Sequence, residues 1–251
     1  HRGGHRLVLL APVARLSQIE LARELQRVGG ADGHAVAAVH ARRVRQGHVE
    51  LGGDPIVEAA AGHRDGKGVL GVVATRLDTA EGALDFQDYF VRRRCTPVVR
   101  QIHYDGAQSA PISPQLLQAL MSPRLERIVI APSNPLLSIA PILSIPGMCD
   151  RLRRTEVPIV AVAPLIGGRA IKGPTAKLMQ ELGMRAGVVG VYEFYAKRYA
   201  GLLDAMLIDQ TDGHEVTEIG CVVALTDTLM QTVDDRLRVA QSVLELSVKG
   251  G

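Results

Sequence analysis

The segment RIVIAPSNP, residues 127–135, reads as a strand, a tight turn and the start of a helix. After Arg127 the residues are aliphatic and β-branched, which is typical of a buried strand. The turn that follows places Ser133 and Asn134 between two prolines. In a parallel sheet, loops at the carboxyl ends of strands offer amides and a helix N-terminus to anionic ligands. Ser133 and Asn134 are therefore candidate ligand-binding residues, and helix capping is the alternative.

Similar short apolar runs recur after this segment. The sequence predicts strands over 127–130, 158–163, 205–209 and 221–225. Helical patterns separate them, and the predicted helices span 138–145, 147–154, 174–182, 189–199 and 234–246. Alternation of strands with helices favours parallel pairing through right-handed crossovers. We therefore expect an α/β fold with a doubly wound, mostly parallel sheet.

A smaller β region is predicted before these elements. Residues 72–77 and 84–92 resemble two strands of a hairpin, and residues 98–104 extend that sheet. Ser113 and Pro114 then supply an N-cap and a first-turn proline for a helix to about residue 119. The sequence thus predicts a smaller β-containing region that precedes the large α/β unit.

The first seventy residues differ from the rest of the chain. Their periodicity is weak, apart from a possible amphipathic helix over 17–28. A truncated start, a shifted reading frame or a divergent subdomain would each give such a pattern. We therefore divide the chain into an N-terminal region, 1–70, and an α/β domain, 71–251.

A second candidate site follows the strand predicted at 158–163. The loop carries Gly167, Gly168 and Gly173, which let the backbone approach a ligand closely. Arg169 and Lys172 lie between them and can neutralise phosphate oxygens. The spacing is not that of a Walker loop. A surface loop with solvated cations is the alternative.

Two further segments carry charged residues with weaker functional signals. Arg93 is the centre of three consecutive arginines, which either hold a diphosphate or an acceptor substrate, or form a solvated sheet edge. Asp227 follows the strand predicted at 221–225 and can either contact a ribose hydroxyl or a metal ion, or cap a turn.

Composition limits the class of ligand. A formal net charge of +3 over 251 residues and 3% aromatic residues argue against nucleic-acid binding, so a small anion is the better candidate. No apolar run is long enough to span a bilayer, and no membrane partner is expected. Three widely spaced cysteines are typical of a reducing compartment, and we expect a cytoplasmic location.

Four ordered blocks of this sequence resemble the CofD family of 2-phospholactate transferases. They are FQDYFVRRR at 86–94, APSNP at 131–135 with SIAPIL at 138–143, GGRAIKGP at 167–174, and TDTLM at 226–230. The resemblance covers about residues 72–246. The family's glycine-rich opening and its Asn-Thr-Gly-Asp-Asp segment have no counterpart in residues 1–70.

The resemblance implies a Rossmann-like domain with a smaller inserted β-containing subdomain, and a transfer reaction. A phospho-acid, either 2-phospholactyl or enolpyruvyl phosphate, moves from a guanosine-diphosphate-linked donor to the deazaflavin Fo, the precursor of coenzyme F420, and GMP is released. Mg²⁺ is the implied cofactor, with no ligand assigned, and the family commonly forms homodimers. The implied catalytic residues are Lys172 and Arg169. The implied binding residues are Ser133, Asn134, Ser138, Gly167, Gly168, Gly173, Arg93 and Asp227.

Two other functions remain open from the sequence. One is a nucleotide-binding regulatory protein of the same fold, similar to gluconeogenesis-factor relatives, without transferase activity. The other is a catalytically incomplete fragment, because the family's N-terminal motifs are absent from residues 1–70.

Overall fold

Seven parallel strands form the central sheet of the protein. A computed structural model describes residues 6–10, 35–39, 57–60, 73–171 and 173–248. The strands of this sheet are β1 (Arg6–Leu10), β2 (Ala35–Val39), β3 (Val57–Ala60), β7 (Leu125–Ile130), β8 (Ile159–Val162), β11 (Ala205–Asp209) and β12 (Val222–Thr226). Their spatial order is β12-β11-β8-β7-β1-β2-β3, with every neighbouring pair parallel.

The strand order reverses between β1 and β7. Chain order runs outward from β1 to β3 in one direction and from β7 to β12 in the other. In doubly wound sheets, ligands bind in the crevice at the carboxyl ends of the two strands that flank such a reversal. The turn that follows β7 therefore lies at the expected ligand-binding position.

The central strands are covered on both faces. Every residue of β8 and β11 is buried, as expected for interior strands of a parallel sheet. On one face, Val129, Val160 and Leu207 pack with Val239 and Val243 of the C-terminal helix. Alternate residues of the same strands contribute to a larger apolar cluster on the other face.

Six α-helices occur within the described residues. They are α1 (Pro114–Leu120), α2 (Ala140–Leu143), α3 (Met148–Arg153), α4 (Thr175–Glu181), α5 (Val188–Arg198) and α6 (Val233–Glu245). A π-helical turn, Pro135–Ile139, precedes α2, and a 3₁₀ segment, Gln210–Glu218, follows β11. Helix α1 begins as predicted, because the Ser113 side chain accepts a hydrogen bond from the Leu116 amide. None of the described helices is long and apolar enough to cross a membrane.

A three-stranded antiparallel sheet forms the smaller subdomain, inserted in the chain between β3 and β7. Its strands are β4 (Ala74–Thr79), β5 (Gly82–Asp85) and β6 (Val99–Asp105), in the order β5-β4-β6. A two-stranded hairpin, β9 (Leu165–Ile166) and β10 (Arg169–Ala170), follows β8. The predicted α/β class with an inserted β subdomain is confirmed.

The strand predicted over 84–92 is wrong beyond Asp85. A π-helical turn, Asp88–Arg92, occupies the second half of that range. Phe86 and Phe90 contact each other at 5.4 Å between ring centroids, and Tyr89 is fully buried. Residues four apart share one face of a helical turn, so this aromatic spacing stabilises a turn rather than a strand.

The other predicted elements lie within a few residues of the observed ones, but the N-terminal strands were not predicted. β1, β2 and β3 place parts of region 1–70 in the central sheet, which has seven strands instead of the four predicted. The helix predicted over 17–28 lies outside the described residues. The boundary at residue 70 remains a prediction.

Helix α4 holds the small sheet against the large domain. The Glu181 carboxylate accepts a hydrogen bond of 3.0 Å from the Val99 amide of β6, and Lys177 donates one of 2.9 Å to the Pro97 carbonyl. Lys177 and Glu181 form an ion pair at 2.5 Å. Tyr89, Leu77 and Val99 belong to the same apolar cluster as the core helices. The small sheet thus shares the core of the large domain.

Candidate functional site

The carboxyl ends of four neighbouring parallel strands build one edge of the molecule. The loops that leave this edge begin at Ala131 after β7, Ala163 after β8, Gln210 after β11 and Asp227 after β12. Because all four strands run in the same direction, their loops emerge on the same side of the sheet. The candidate site residues that lie in these loops are therefore at the same end of the sheet.

Asn134 caps the helical turn after β7 and carries one donor that no described residue satisfies. Its Oδ1 accepts hydrogen bonds of 2.9 Å from the amides of both Leu136 and Leu137. Its Nδ2 is buried and has no hydrogen-bond partner among the described residues. A buried donor without a partner is costly, and such groups often bind a ligand or water. Asn134 therefore both caps the turn and leaves a buried donor, without a partner among the described residues, at the strand reversal.

The two serines near this turn are held by the backbone. Ser133 is 3% exposed, and its amide donates to the Ala131 carbonyl. Ser138 is half-buried, and its amide donates to the Asn134 carbonyl at 3.0 Å. Both candidates thus lie on the turn that Asn134 organises.

The glycine-rich candidate loop begins with a tight hairpin turn. Gly167 and Gly168 join β9 to β10 with φ values of +56° and +68°, a conformation that favours glycine at both positions of a two-residue hairpin. Arg169 lies on β10 and is exposed. Gly173 has φ +82°. Lys172 lies outside the described residues, so its predicted role as a phosphate-neutralising residue stays a prediction.

Asp209, the last residue of β11, ties two strand ends together. Its carboxylate accepts hydrogen bonds from the amide and the hydroxyl of Thr211, both at 2.9 Å. It also accepts from the amide and hydroxyl of Thr228, at 2.8 and 3.1 Å. Burial opposes ionisation of this carboxyl, but the four hydrogen bonds outweigh it, and the pKa of Asp209 lies below its ordinary value. Asp209 is an ionised structural centre of this edge.

Asp212, three residues further on, has the opposite electrostatic character. It is 1% exposed, and its Oδ2 accepts a hydrogen bond of 3.0 Å from the Gly167 amide. Burial raises the pKa of Asp212, and the negative charges of Glu215 and Asp209 raise it further. Asp212 thus anchors the glycine turn with a carboxyl that holds its proton more tightly than usual.

Asp227 and Arg93 make local contacts. Asp227 accepts from the Leu229 amide at 3.0 Å and pairs with Arg238 of α6 at 3.3 Å, which is the turn-capping arrangement. Arg93 pairs with Glu81 at 2.8 Å on the small sheet and is half-exposed. Neither side chain depends on a ligand for a partner.

Asp209 and Asp212 were missed by the sequence prediction. A signal existed for Asp209, since an acidic residue ends the apolar run AMLID, residues 205–209. Its partner Thr228 is 19 positions away, however, and only the parallel pairing of β11 with β12 brings the two together.

The described residues do not fit a protein-built metal site. They contain no group of three or more His, Cys, Asp or Glu side chains placed to hold a metal ion. The oxygens of Asp209 already accept hydrogen bonds from protein groups. We therefore assign no step of any reaction to a metal held by these residues.

Comparison with known proteins identifies the family. A family model described as 2-phospho-L-lactate transferase CofD matches residues 70–229, which include all four strand ends of the candidate site. The chain belongs to the CofD family. The resemblance found in the sequence blocks is thereby confirmed.

Curated CofD relatives match most of the chain but only part of their own length. A 2-phospho-L-lactate transferase of Methanosarcina mazei is 37% identical over 176 residues, covering 69% of this chain and 55% of the relative. One from Methanopyrus kandleri is 38% identical over 174 residues, covering 69% and 54%. The chain thus spans about half the length of the curated CofD relatives it matches.

The CofD fold extends to a distant solved structure. A member of the UPF0052 family from Bacillus halodurans superposes with a TM-score of 0.65, covering 97% of this chain and 99% of the other. The two are 12% identical, so the likeness shows a shared fold.

Proposed function

We propose that this chain carries the transferase function of its CofD relatives, which are named 2-phospho-L-lactate transferases. The proposed reaction moves a 2-phospholactyl or enolpyruvyl phosphate group from a guanosine-diphosphate-linked donor to the deazaflavin Fo. The primary alcohol of Fo attacks the phosphorus that carries the acid group, a new P–O bond forms while the alcohol proton passes to solvent, and the P–O bond to GMP breaks. Steps of this kind depend on positioning and charge neutralisation more than on covalent catalysis.

The observation that carries the proposal is the unsatisfied Nδ2 of Asn134 at the strand reversal. This donor is buried, lies directly after β7, and belongs to the APSNP block of the matched region. An anionic or carbonyl oxygen of a substrate would satisfy it once the groups that cover the donor move aside. Ser133 and Ser138 lie on the same turn and are proposed to line the same substrate.

The glycine turn is the proposed second half of the binding site. Asp212 fixes Gly167, so the backbone that approaches the ligand is held in place. We propose that Gly168 and Gly173 keep this backbone accessible, and that Arg169 and Lys172 offset the charge that develops on the phosphate oxygens.

The remaining parts of the proposal concern cofactor and assembly. Mg²⁺ is proposed as an ion carried mainly by the diphosphate of the donor, because magnesium often binds substrate phosphates with few protein ligands. A cytoplasmic location and a homodimer are proposed as well.

Substitution of Asn134 separates the two roles of this side chain. Asn134→Asp keeps the oxygen that caps Leu136 and Leu137 but removes the Nδ2 donor. We expect this variant to melt somewhat below the wild-type temperature, because its second carboxylate oxygen is buried without a donor, although a carboxylate is favourable at a helix N-terminus. We expect it to lose most of the thermal stabilisation that GDP and Fo confer on the wild type. Unchanged stabilisation by both compounds would contradict the binding role.

The same titration tests the alternatives. Stabilisation by Fo, together with chromatographic detection of GMP release from a GDP-linked phospho-acid, supports the transferase. Stabilisation by GDP or GMP alone supports a nucleotide-binding regulatory protein. No response to any of the three compounds supports a catalytically incomplete chain.

A further inference from the structure

A basic cleft runs along the outer edge of β6. It has a volume of about 840 Å³ and lies between β6 and α5. Five consecutive residues of β6 line it, from Arg100 to Tyr104. Because successive side chains of a strand point to opposite faces, a cleft lined by all five follows the edge of the strand and not one face.

This strand edge is open to pairing. β6 is the last strand of the β5-β4-β6 sheet, and β4 pairs with it on one side only. Within the described part of the chain, no other backbone hydrogen-bonds to residues 100–105 along the outer edge. At the beginning of the strand, the Val99 amide already donates to a carboxylate, that of Glu181. Exposed edges of this kind are templates for an added strand.

The charges around the cleft are mostly positive. Four permanently basic residues line it, against the single carboxylate of Glu193; they are Arg100, Arg185, Lys197 and Arg198. Lys197 pairs with Glu193 at 2.8 Å, and Arg185 pairs with Glu218 outside the lining. Arg100 is exposed and forms no ion pair with any described residue.

Aromatic rings position Arg198, which forms no ion pair with a carboxylate in the described part of the chain. Its guanidinium lies 5.8 Å from the ring centroid of Tyr104 and 6.0 Å from that of Tyr199. The Tyr104 hydroxyl donates to the Leu136 carbonyl at 2.6 Å, so this wall of the cleft is anchored to the turn after β7. A guanidinium held over ring faces keeps its charge available to a further acidic group.

The floor of the cleft adds apolar surface. Ile102, Leu136, Leu182, Met184 and Phe194 line it between the basic residues. An extended chain that alternates acidic and apolar side chains matches both the open strand edge and this mixture of surfaces.

We propose that this cleft binds an acidic, extended peptide segment of a partner protein, which adds as a strand to β6. The partner's backbone pairs with the open edge, its carboxylates face Arg100, Lys197 and Arg198, and its apolar side chains contact the floor. A second copy of this chain is a poor occupant, because it would bring the same cations against one another. The proposal is independent of the transferase function.

A labelled peptide of alternating glutamate and valine, about seven residues long, tests the proposal by fluorescence anisotropy with the full chain. A lysine-for-glutamate peptide is the control ligand. The test variant is Arg100→Glu with Lys197→Glu, and both side chains are exposed in the wild type. The matched control is Arg151→Glu with Arg154→Glu, which makes the same charge change on α3 and at its C-cap, away from the cleft.

The expected result is binding of the glutamate peptide alone, weakened about tenfold or more in the test variant and unchanged in the control variant. Raising the salt concentration should weaken binding, and hydrogen exchange of the amides in residues 100–104 should slow when the peptide binds. Equal loss in both variants or unchanged exchange in β6 would overturn the proposal. Displacement of the peptide by inorganic phosphate or GDP at comparable concentration would also overturn it, since the cleft would then be a small-anion site.

Discussion

The carboxylate of Asp209 at the end of β11 binds both the amide and the hydroxyl of Thr228, just after β12, at 2.8 and 3.1 Å. One buried side chain thus fixes the relative positions of two loops at the ligand-binding edge. The same carboxylate also holds Thr211, so its loss would release two segments at once.

Asp209→Asn should destabilise the protein by about 1–3 kcal/mol, because the amide group of Asn cannot accept from every donor that the carboxylate satisfies. Urea unfolding measures the change. Asp150→Asn, at an exposed position in α3, is the control and should change stability by less than about 0.5 kcal/mol. Since the pKa of Asp209 is lowered in the folded state, its contribution is present at neutral pH and is lost on acidification. The stability difference between wild type and variant should therefore shrink at low pH.

Asp212→Asn should have the opposite dependence on pH. Burial raises the pKa of Asp212 in the folded state, so its proton is bound more tightly there, and ionisation at higher pH weakens folding. Asn imitates the protonated form and can still accept from the Gly167 amide. The variant should therefore gain stability relative to wild type as the pH rises from about 4 to 7. If the difference in unfolding free energy between the two proteins stays constant across this pH range, Asp212 does not titrate as proposed.

Glu181→Ala should loosen the attachment of the small sheet. The Val99 amide would lose its acceptor and Lys177 its ion-pair partner, at a cost of about 1–3 kcal/mol. Glu181→Gln keeps an acceptor for Val99 and should recover most of the loss. A double-mutant cycle with Lys177→Ala measures the coupling between the two side chains. If Gln is as damaging as Ala, the bond to Val99 is not the source of the stabilisation.

Gly190→Ala should be strongly destabilising. A Cβ at this position of α5 would lie 1.8 Å from the Arg185 carbonyl oxygen and 2.9 Å from the Met179 side chain, so the helix and the preceding loop would have to separate. We expect a loss of about 3 kcal/mol. Gly213→Ala is the control, since its Cβ would meet only the flexible end of Leu225 at 3.3 Å. Thermal melts measure both variants. A large loss at Gly190 alone indicates the local clash, and equal losses at both positions indicate a general intolerance of alanine in place of glycine.

Arg169→Ala should affect transfer without affecting folding. The side chain is exposed, so the melting temperature should stay within the error of the wild type. Loss of one charge at a phosphate site should slow transfer by about a hundredfold. Arg151→Ala on α3 serves as the control. A fall in activity that parallels a fall in melting temperature would contradict the proposed role.

The parts of the fold that were predictable are those with strong local signals. The strand Ala205–Asp209 was predicted with the bounds that the structure shows, because its apolar run, ended by Asp209, lies between two turn segments. Ser113 and Pro114 fixed the start of α1 through local capping chemistry. The π-helical turn Asp88–Arg92 was mistaken for a strand because aromatic residues are common in strands, while the spacing of Phe86 and Phe90 was overlooked.

The candidate site was only partly predictable, because its key contacts join distant segments. Asn134 and Gly167 were found because prolines and glycines mark turns. The hydrogen bonds that Asp212 accepts from Gly167 and Asp209 accepts from Thr228 join residues 45 and 19 positions apart, and no local sequence pattern indicates them. The strands β1, β2 and β3 are four or five residues long and lie among residues without clear periodicity, so pattern analysis did not detect them.

The position of β1 has a consequence for how the molecule is assembled during synthesis. Arg6–Leu10 lies between β2 and β7, and its register pairs Arg6 with Leu125, far along the chain. The ribosome therefore produces β1 long before β7, its second neighbour in the sheet. Until β7 emerges, the side of β1 that pairs with it has no backbone partner from that strand. The two halves of the sheet can pair only after that point. Because this pairing joins residues far apart in the sequence, we expect it to be a slow and late step of folding.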